Sequence, residues 1–104
     1  MDMNKLMQQA QQMQEQLQKV QEEAANETVE ATAGGGMVTV TANGAGEIVE
    51  IKIQKEAIDP DDPEMLADLV LAAVNEALRS AQRLVESKVG PLMSGLEGLG
   101  LPGI

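Results

Sequence analysis

Gly34-Gly35-Gly36-Met37-Val38-Thr39-Val40-Thr41-Ala42-Asn43-Gly44 is the stretch that decides the fold of this 104-residue chain. Three successive glycines permit backbone conformations that other residues avoid, so they predict a turn. Met37 to Ala42 then alternates as a strand, with Val38 and Val40 on one face and Thr39 and Thr41 on the other. Asn43-Gly44 marks a hairpin connection, which Ala45-Gly46 lengthens to four residues. On the N-terminal side, Thr28 to Ala33 reads as a strand. On the C-terminal side, Glu47 to Ile53 reads as another, with Val49, Ile51 and Ile53 facing one way and Glu50 and Lys52 the other. The expected unit is a three-stranded antiparallel meander with one apolar face, which needs a cover to be stable, and the later of the two helix-forming arms is the expected cover. Neither a following helix nor a Lys-Ser/Thr pair accompanies the glycines, so they are a turn rather than a phosphate-binding loop.

A helix-forming arm stands on each side of the sheet. In the first, Met3, Leu6, Ala10, Met13, Leu17, Val20 and Ala24 recur at alternating spacings of three and four, a heptad seam. Eight glutamines lie between them, so a helix is expected from about Met3 to Ala25. The seam fits packing on the chain's own body or on a dimer partner, or a partly exposed arm that engages a ligand. In the second arm, Asp59-Pro60-Asp61-Asp62-Pro63-Glu64 is a helix start, with Asp62 as N-cap and Pro63 at the first helical position. Leu66, Leu69, Val70, Ala73, Val74, Ala77, Leu78, Ala81, Leu84 and Val85 form its apolar face. Ala73, Ala77 and Ala81 make a small-residue line that allows close approach to a sheet or helix. Glu76, Arg79, Arg83, Glu86 and Lys88 occupy the other face, and Arg79, Arg83 and Lys88 are the densest basic group in the chain. The helix is expected to end near Val89, where Gly90-Pro91 stops it. This divides the chain into a domain over 1–90 and a Gly/Leu-rich tail over 91–104.

Composition excludes several kinds of chemistry. With no His and no Cys, histidine general bases, thiol nucleophiles and zinc fingers are ruled out. Asp59, Asp61, Asp62 and Glu64 are the one acidic group resembling a metal site, but they lack calcium-loop spacing and read as a helix start. No nucleophile–base pair is legible, so no enzyme is expected and no cofactor or metal. No Phe, Tyr or Trp is present, so Leu, Ile, Val, Met and Ala must build a modest core that a dimer would extend. The opening residues are polar, and no run reaches transmembrane length, so a soluble intracellular protein is expected. The net charge of −10 gives no long-range attraction to DNA or to anionic membrane, so any nucleic-acid contact must be local.

The glycine-rich stretch quoted above, followed by Ile51-Lys52-Ile53, resembles the YbaB/EbfC family of bacterial nucleoid-associated proteins. The Met-Gln-rich helix before it and the Asp59-Pro60 helix start after it fit in order, so the resemblance spans about Met3 to Val89. It implies an α+β, α-β-β-β-α protomer in a tweezer-like homodimer that binds double-stranded DNA through its helical arms. It also implies a cytoplasmic, nucleoid-associated location, a role in nucleoid organisation and gene regulation, and no enzymatic activity or small-molecule substrate. Family members' genes commonly neighbour recombination and replication genes, so proteins of those processes are expected partners. Carried onto this chain, the arm contacts fall on Lys5, Gln9, Gln12 and Lys19 in the first helix and on Arg79, Arg83 and Lys88 in the second. Val38, Val40, Val49, Ile51, Ile53, Ala73 and Ala77 are expected to pack the core or the dimer. The alternative, favoured by the acidity, is a protein-interaction module or adaptor in which the first seam and the apolar tail hold a partner.

Overall fold

The computed structural model of the chain describes residues 2–97. Its elements are α1 (Met3–Asn26), β1 (Thr28–Ala33), β2 (Val38–Asn43), β3 (Ile48–Ile53), one turn of 3-10 helix (Lys55–Ala57) and α2 (Pro63–Glu97). The α-β-β-β-α order expected from the sequence is the order found, and each strand lies within one residue of its expected span. The sheet is antiparallel with strand order β1-β2-β3.

Register sets the core. Ala31, Val40 and Ile51 form one row across the sheet, and Ala33, Val38 and Ile53 the next. Directly opposed residues share a face, so all six point to the side on which α2 lies. Val38, Val40, Ala42, Ala73 and Ala77 are fully buried there. Alanines at 73, 77 and 81 line the centre of this contact, so the helix backbone can approach β1 and β2 closely. Ala77→Leu would force a larger side chain into it and should destabilise the fold by about 1–3 kcal/mol in urea unfolding.

Two expectations need correction. Val49, Ile51 and Ile53 do not simply share one face. A bulge between Thr41 and Ala42 pairs Ala42 with Ile48, so Val49 is the extra residue of β3. Nor does α2 cover the whole apolar face. It packs against β1 and β2 and barely reaches β3, so Val49, Ile51 and Ile53 stay 52, 45 and 40% exposed.

The turns use glycine for two different reasons. Gly34, Gly35 and Gly36 have φ of 65, 68 and 95°, the left-handed region that the β1–β2 connection requires. Gly44 has no such φ. Its N–H donates to the Ala24 carbonyl at 2.9 Å, and an added Cβ would strike that carbonyl. Here glycine lets the hairpin close on the end of α1. Asn43 organises the rest of the loop, its side-chain oxygen accepting from the N–H groups of Ala45 and Glu47.

The second helix starts as expected, with the Asp62 carboxylate accepting from the Met65 N–H at 3.2 Å. Its expected end near Val89 is overturned, because α2 continues through Gly90 and Pro91 to Glu97. Proline disfavours the α conformation in the residue before it partly through a clash with that residue's Cβ. Gly90 has none. Pro91 still forgoes the hydrogen bond to the Ser87 carbonyl. Residue 90 is therefore no break in secondary structure, and the expected tail begins as helix; residues 98–104 lie outside the described residues.

The protomer is long, 71 × 23 × 16 Å, with a radius of gyration of 19.9 Å. A compact chain of this length has a radius of about 13 Å. The first arm accounts for part of the difference. Its Ala24 is buried and its Met13, Leu17 and Val20 are half-buried, while Met3, Leu6, Met7 and Ala10 are exposed. Among the described residues no helix is long and apolar enough to cross a membrane.

Candidate nucleic-acid interface

Seven cations are available in the chain, and the structure sorts them by partner. On α2, Arg79 donates from Nε and Nη2 to Glu76 Oε2 at 3.1 and 2.9 Å. Arg83 Nη2 donates to Glu76 Oε1 and to Ser80 Oγ, both at 3.0 Å. One carboxylate thus serves two guanidinium groups on successive turns. The hydrogen bond from Arg79, then that from Arg83, holds the Glu76 carboxyl below the usual carboxylate range. The pairs persist at neutral pH and are lost only as pH falls through that lowered value.

Lys88 is engaged differently. Its Nζ lies 2.6 Å from Oε1 of Glu27, the C-cap residue just after α1, and its side chain is only 22% exposed. The hydrogen bond to Glu27 raises its pKa against the opposing effect of burial, and the charges of Glu27 and Glu23 add to the rise. This ion pair joins the far part of α2 to the base of the first arm, and it persists until pH rises through the raised value. The sequence carries no signal for it, since the partners are far apart in the chain and become neighbours only through the fold.

Lys52 faces Glu50 at 3.5 Å. Among the described residues, Lys5, Lys19 and Lys55 have no carboxylate within salt-bridge distance. Two of these three are on α1. Lys5, Gln9, Gln12 and Lys19 are all exposed, and their spacings of four, three and seven place them on one helix face. From Met3 to Gln14 the helix contains no acid, and the carboxylate of Asp2 just before it caps the helix by accepting from Asn4 N–H at 3.1 Å. The first-arm candidates therefore share one accessible surface. The second-arm candidates Arg79 and Arg83 are also exposed, but both are drawn to Glu76.

Two shallow grooves, about 510 and 330 Å³, meet beneath the hairpin and share Gly44, Ala45 and Val85. Glu86 is their only charged lining residue, so they bring no catalytic pair together. Among the described residues no group of three His, Cys, Asp or Glu is placed to hold a metal ion. In the Asp59–Glu64 group, the Asp59 and Asp62 carboxylates accept from the N–H groups of Asp61 and Met65, as a turn and helix cap require.

Comparison with known proteins agrees with this architecture. The profile of the YbaB/EbfC DNA-binding family matches residues 1–96. A nucleoid-associated protein of Chloroflexus aurantiacus is 57% identical over 99 residues, covering 95% of this chain and 99% of its own. A nucleoid-associated protein of Pelotomaculum thermopropionicum is 52% identical over 103 residues, covering 99% of this chain and 95% of its own. The crystal structure of the uncharacterized protein HP0035 from Helicobacter pylori superposes with a TM-score of 0.77 at 22% identity, covering 89% of this chain and 98% of that one, which shows the shared fold. By profile, by sequence identity over nearly its whole length and by fold, the chain belongs to the YbaB/EbfC DNA-binding family, whose members are non-catalytic.

Proposed function

We propose that this protein is a nucleoid-associated, homodimeric DNA-binding protein that holds duplex DNA chiefly through its first helical arm. The observation that carries the reading is the distribution of unpaired cations: Lys5 and Lys19 stand free on one face of α1, whereas Arg79, Arg83 and Lys88 are bound to carboxylates. Lys5 and Lys19 supply phosphate contacts, and Gln9 and Gln12 donate and accept hydrogen bonds between them. Such contacts position a protein on DNA more than they read its sequence, so broad sequence tolerance is expected.

The dimer in this reading forms through β3. Ile51 and Ile53 lie on the core side of the sheet but beyond the reach of α2, and β3 is a free edge. Covering the rest of each isoleucine is worth roughly 1 kcal/mol, and a twofold axis doubles the number covered. The dimer presents two first arms to one duplex.

The testing experiment is a fluorescence-anisotropy titration of labelled duplex DNA at several salt concentrations. Four unpaired arm lysines per dimer predict a slope of log K against log salt of about −3.6. Folded dimer that fails to bind at low salt would remove the DNA reading. It would leave the second one, a protein-interaction adaptor for recombination or replication proteins, which the net charge of −10 favours.

The same titration decides the role of the second arm. Glu76→Gln keeps a good helix former and releases both guanidinium groups from a charged partner. If Arg79 and Arg83 face DNA, affinity rises by about tenfold or more and the salt slope steepens by up to about 3.6. An unchanged slope would take both arginines off the interface.

A further inference from the structure

We infer that the apolar end of α1, formed by Met3, Leu6, Met7 and Ala10, is a contact surface for the same patch on another copy of this chain, so that arms of neighbouring dimers join tip to tip. This rests on the β3 dimer proposed above, because it is dimers that the tips connect.

The patch is an uncovered continuation of a packed seam. Met13, Leu17, Val20 and Ala24 extend the same heptad stripe and are half-buried or buried, whereas Met3, Leu6 and Met7 are 70, 43 and 61% exposed. The seam thus runs on past the body of the protomer with its spacing intact. Alternating spacings of three and four are the pattern by which one helix packs on another like it. Met7 widens the stripe beside Leu6, and Ala10 lets a second backbone come near.

Charge selects a second copy as the occupant. In a chain of net charge −10, most surfaces repel their own kind. The segment from Met3 to Gln14 contains no carboxylate, with Lys5 as its only charge and glutamines flanking the seam. Two such helices can meet without bringing carboxylates together. At about 100° per residue, the patch lies roughly 150° around the helix from the Lys5, Gln9, Gln12 and Lys19 face. An arm can therefore meet DNA with one face and another arm with the other.

The contact spans only two to three turns, so it is weak in solution and effective where DNA concentrates the arms. Combining two different self-complementary contacts, one at the body and one at the tip, extends assembly beyond two protomers.

The absence of cysteine from the chain makes a direct test simple. Single variants Met3→Cys and Leu6→Cys would be oxidised in the full-length protein, with Gln12→Cys on the opposite face as control. Disulfide-linked species are then measured by non-reducing electrophoresis and light scattering. Met3→Cys and Leu6→Cys should cross-link at least about tenfold faster than Gln12→Cys and form species larger than two protomers. Met7→Gln in the Leu6→Cys background should slow the reaction. Equal rates for all three cysteines, or no sensitivity to Met7→Gln, would overturn the inference. Repeating the test with Ile51→Glu and Ile53→Glu separates the two readings. Tip cross-links that persist but stop at two protomers support both contacts. Larger species made without β3 overturn the β3 dimer and with it the dimer-to-dimer chain.

Discussion

Ile51→Glu combined with Ile53→Glu is expected to convert the dimer to a folded monomer, halving the solution mass to the 11.0 kDa of one protomer. Both positions are substantially exposed in the protomer, so the substitutions should leave helix content by circular dichroism close to that of the parent. At a twofold interface they would bring four carboxylates together. Burying a charge without a partner costs several kcal/mol, and the covered isoleucines contribute only roughly 1 kcal/mol each. The dissociation constant should therefore rise by at least about a thousandfold. Light scattering over a dilution series measures this. A double variant that keeps the dimeric mass at micromolar concentration would move the interface away from β3.

The second large effect concerns DNA. Lys5→Gln with Lys19→Gln removes both unpaired cations of α1 while keeping its helix propensity. Removing one lysine–phosphate pairing should reduce the salt slope by about 0.9. The dimer's slope should fall from about −3.6 toward zero, and affinity at low salt should drop by at least about tenfold. The result is informative because Arg79, Arg83 and Lys88 remain in place. If affinity is retained and the slope is unchanged, the binding charge lies elsewhere, and Lys55 or the α2 arginines become the primary candidates. Dimer mass should be unaffected, which separates this variant from the β3 pair.

A third expected result concerns the junction of hairpin and arm. Gly44→Ala drives a methyl group into the Ala24 carbonyl, which is backbone and cannot swing aside. Thermal unfolding should show a loss of about 1–3 kcal/mol. Gly35→Ala would be strained for another reason, its φ of 68°, with open space around it.

Much of the architecture is legible in the sequence because its rules are local. Alternating valine and threonine predicts β2, the heptad spacing predicts α1, and Asp62-Pro63 predicts the start of α2, since each depends on neighbouring residues. Cation choice and interface placement are less legible. Lys5, Gln9, Gln12 and Lys19 share a face by spacing alone, but nothing in the sequence shows that Arg79 and Arg83 converge on one carboxylate. The proposed core-or-dimer set divides in the same way. Val38, Val40, Ala73 and Ala77 are core, whereas Val49, Ile51 and Ile53 are left exposed.

By itself, the sequence determined the order of elements, the apolar side of the sheet and the absence of histidine and cysteine chemistry, because composition and short-range periodicity suffice for these. Only the tertiary structure decided that α2 runs through Gly90-Pro91, that Gly44 is needed for a close approach to α1, and that Lys88 reaches Glu27. It also decided that a bulge displaces Val49 and that α2 seats over β1 and β2 while leaving β3 uncovered. The physical reason is common to all of these. Each depends on where one element lies against another, and that is set by the combined packing of alanine helix, twisted sheet and hairpin rather than by any short stretch of chain.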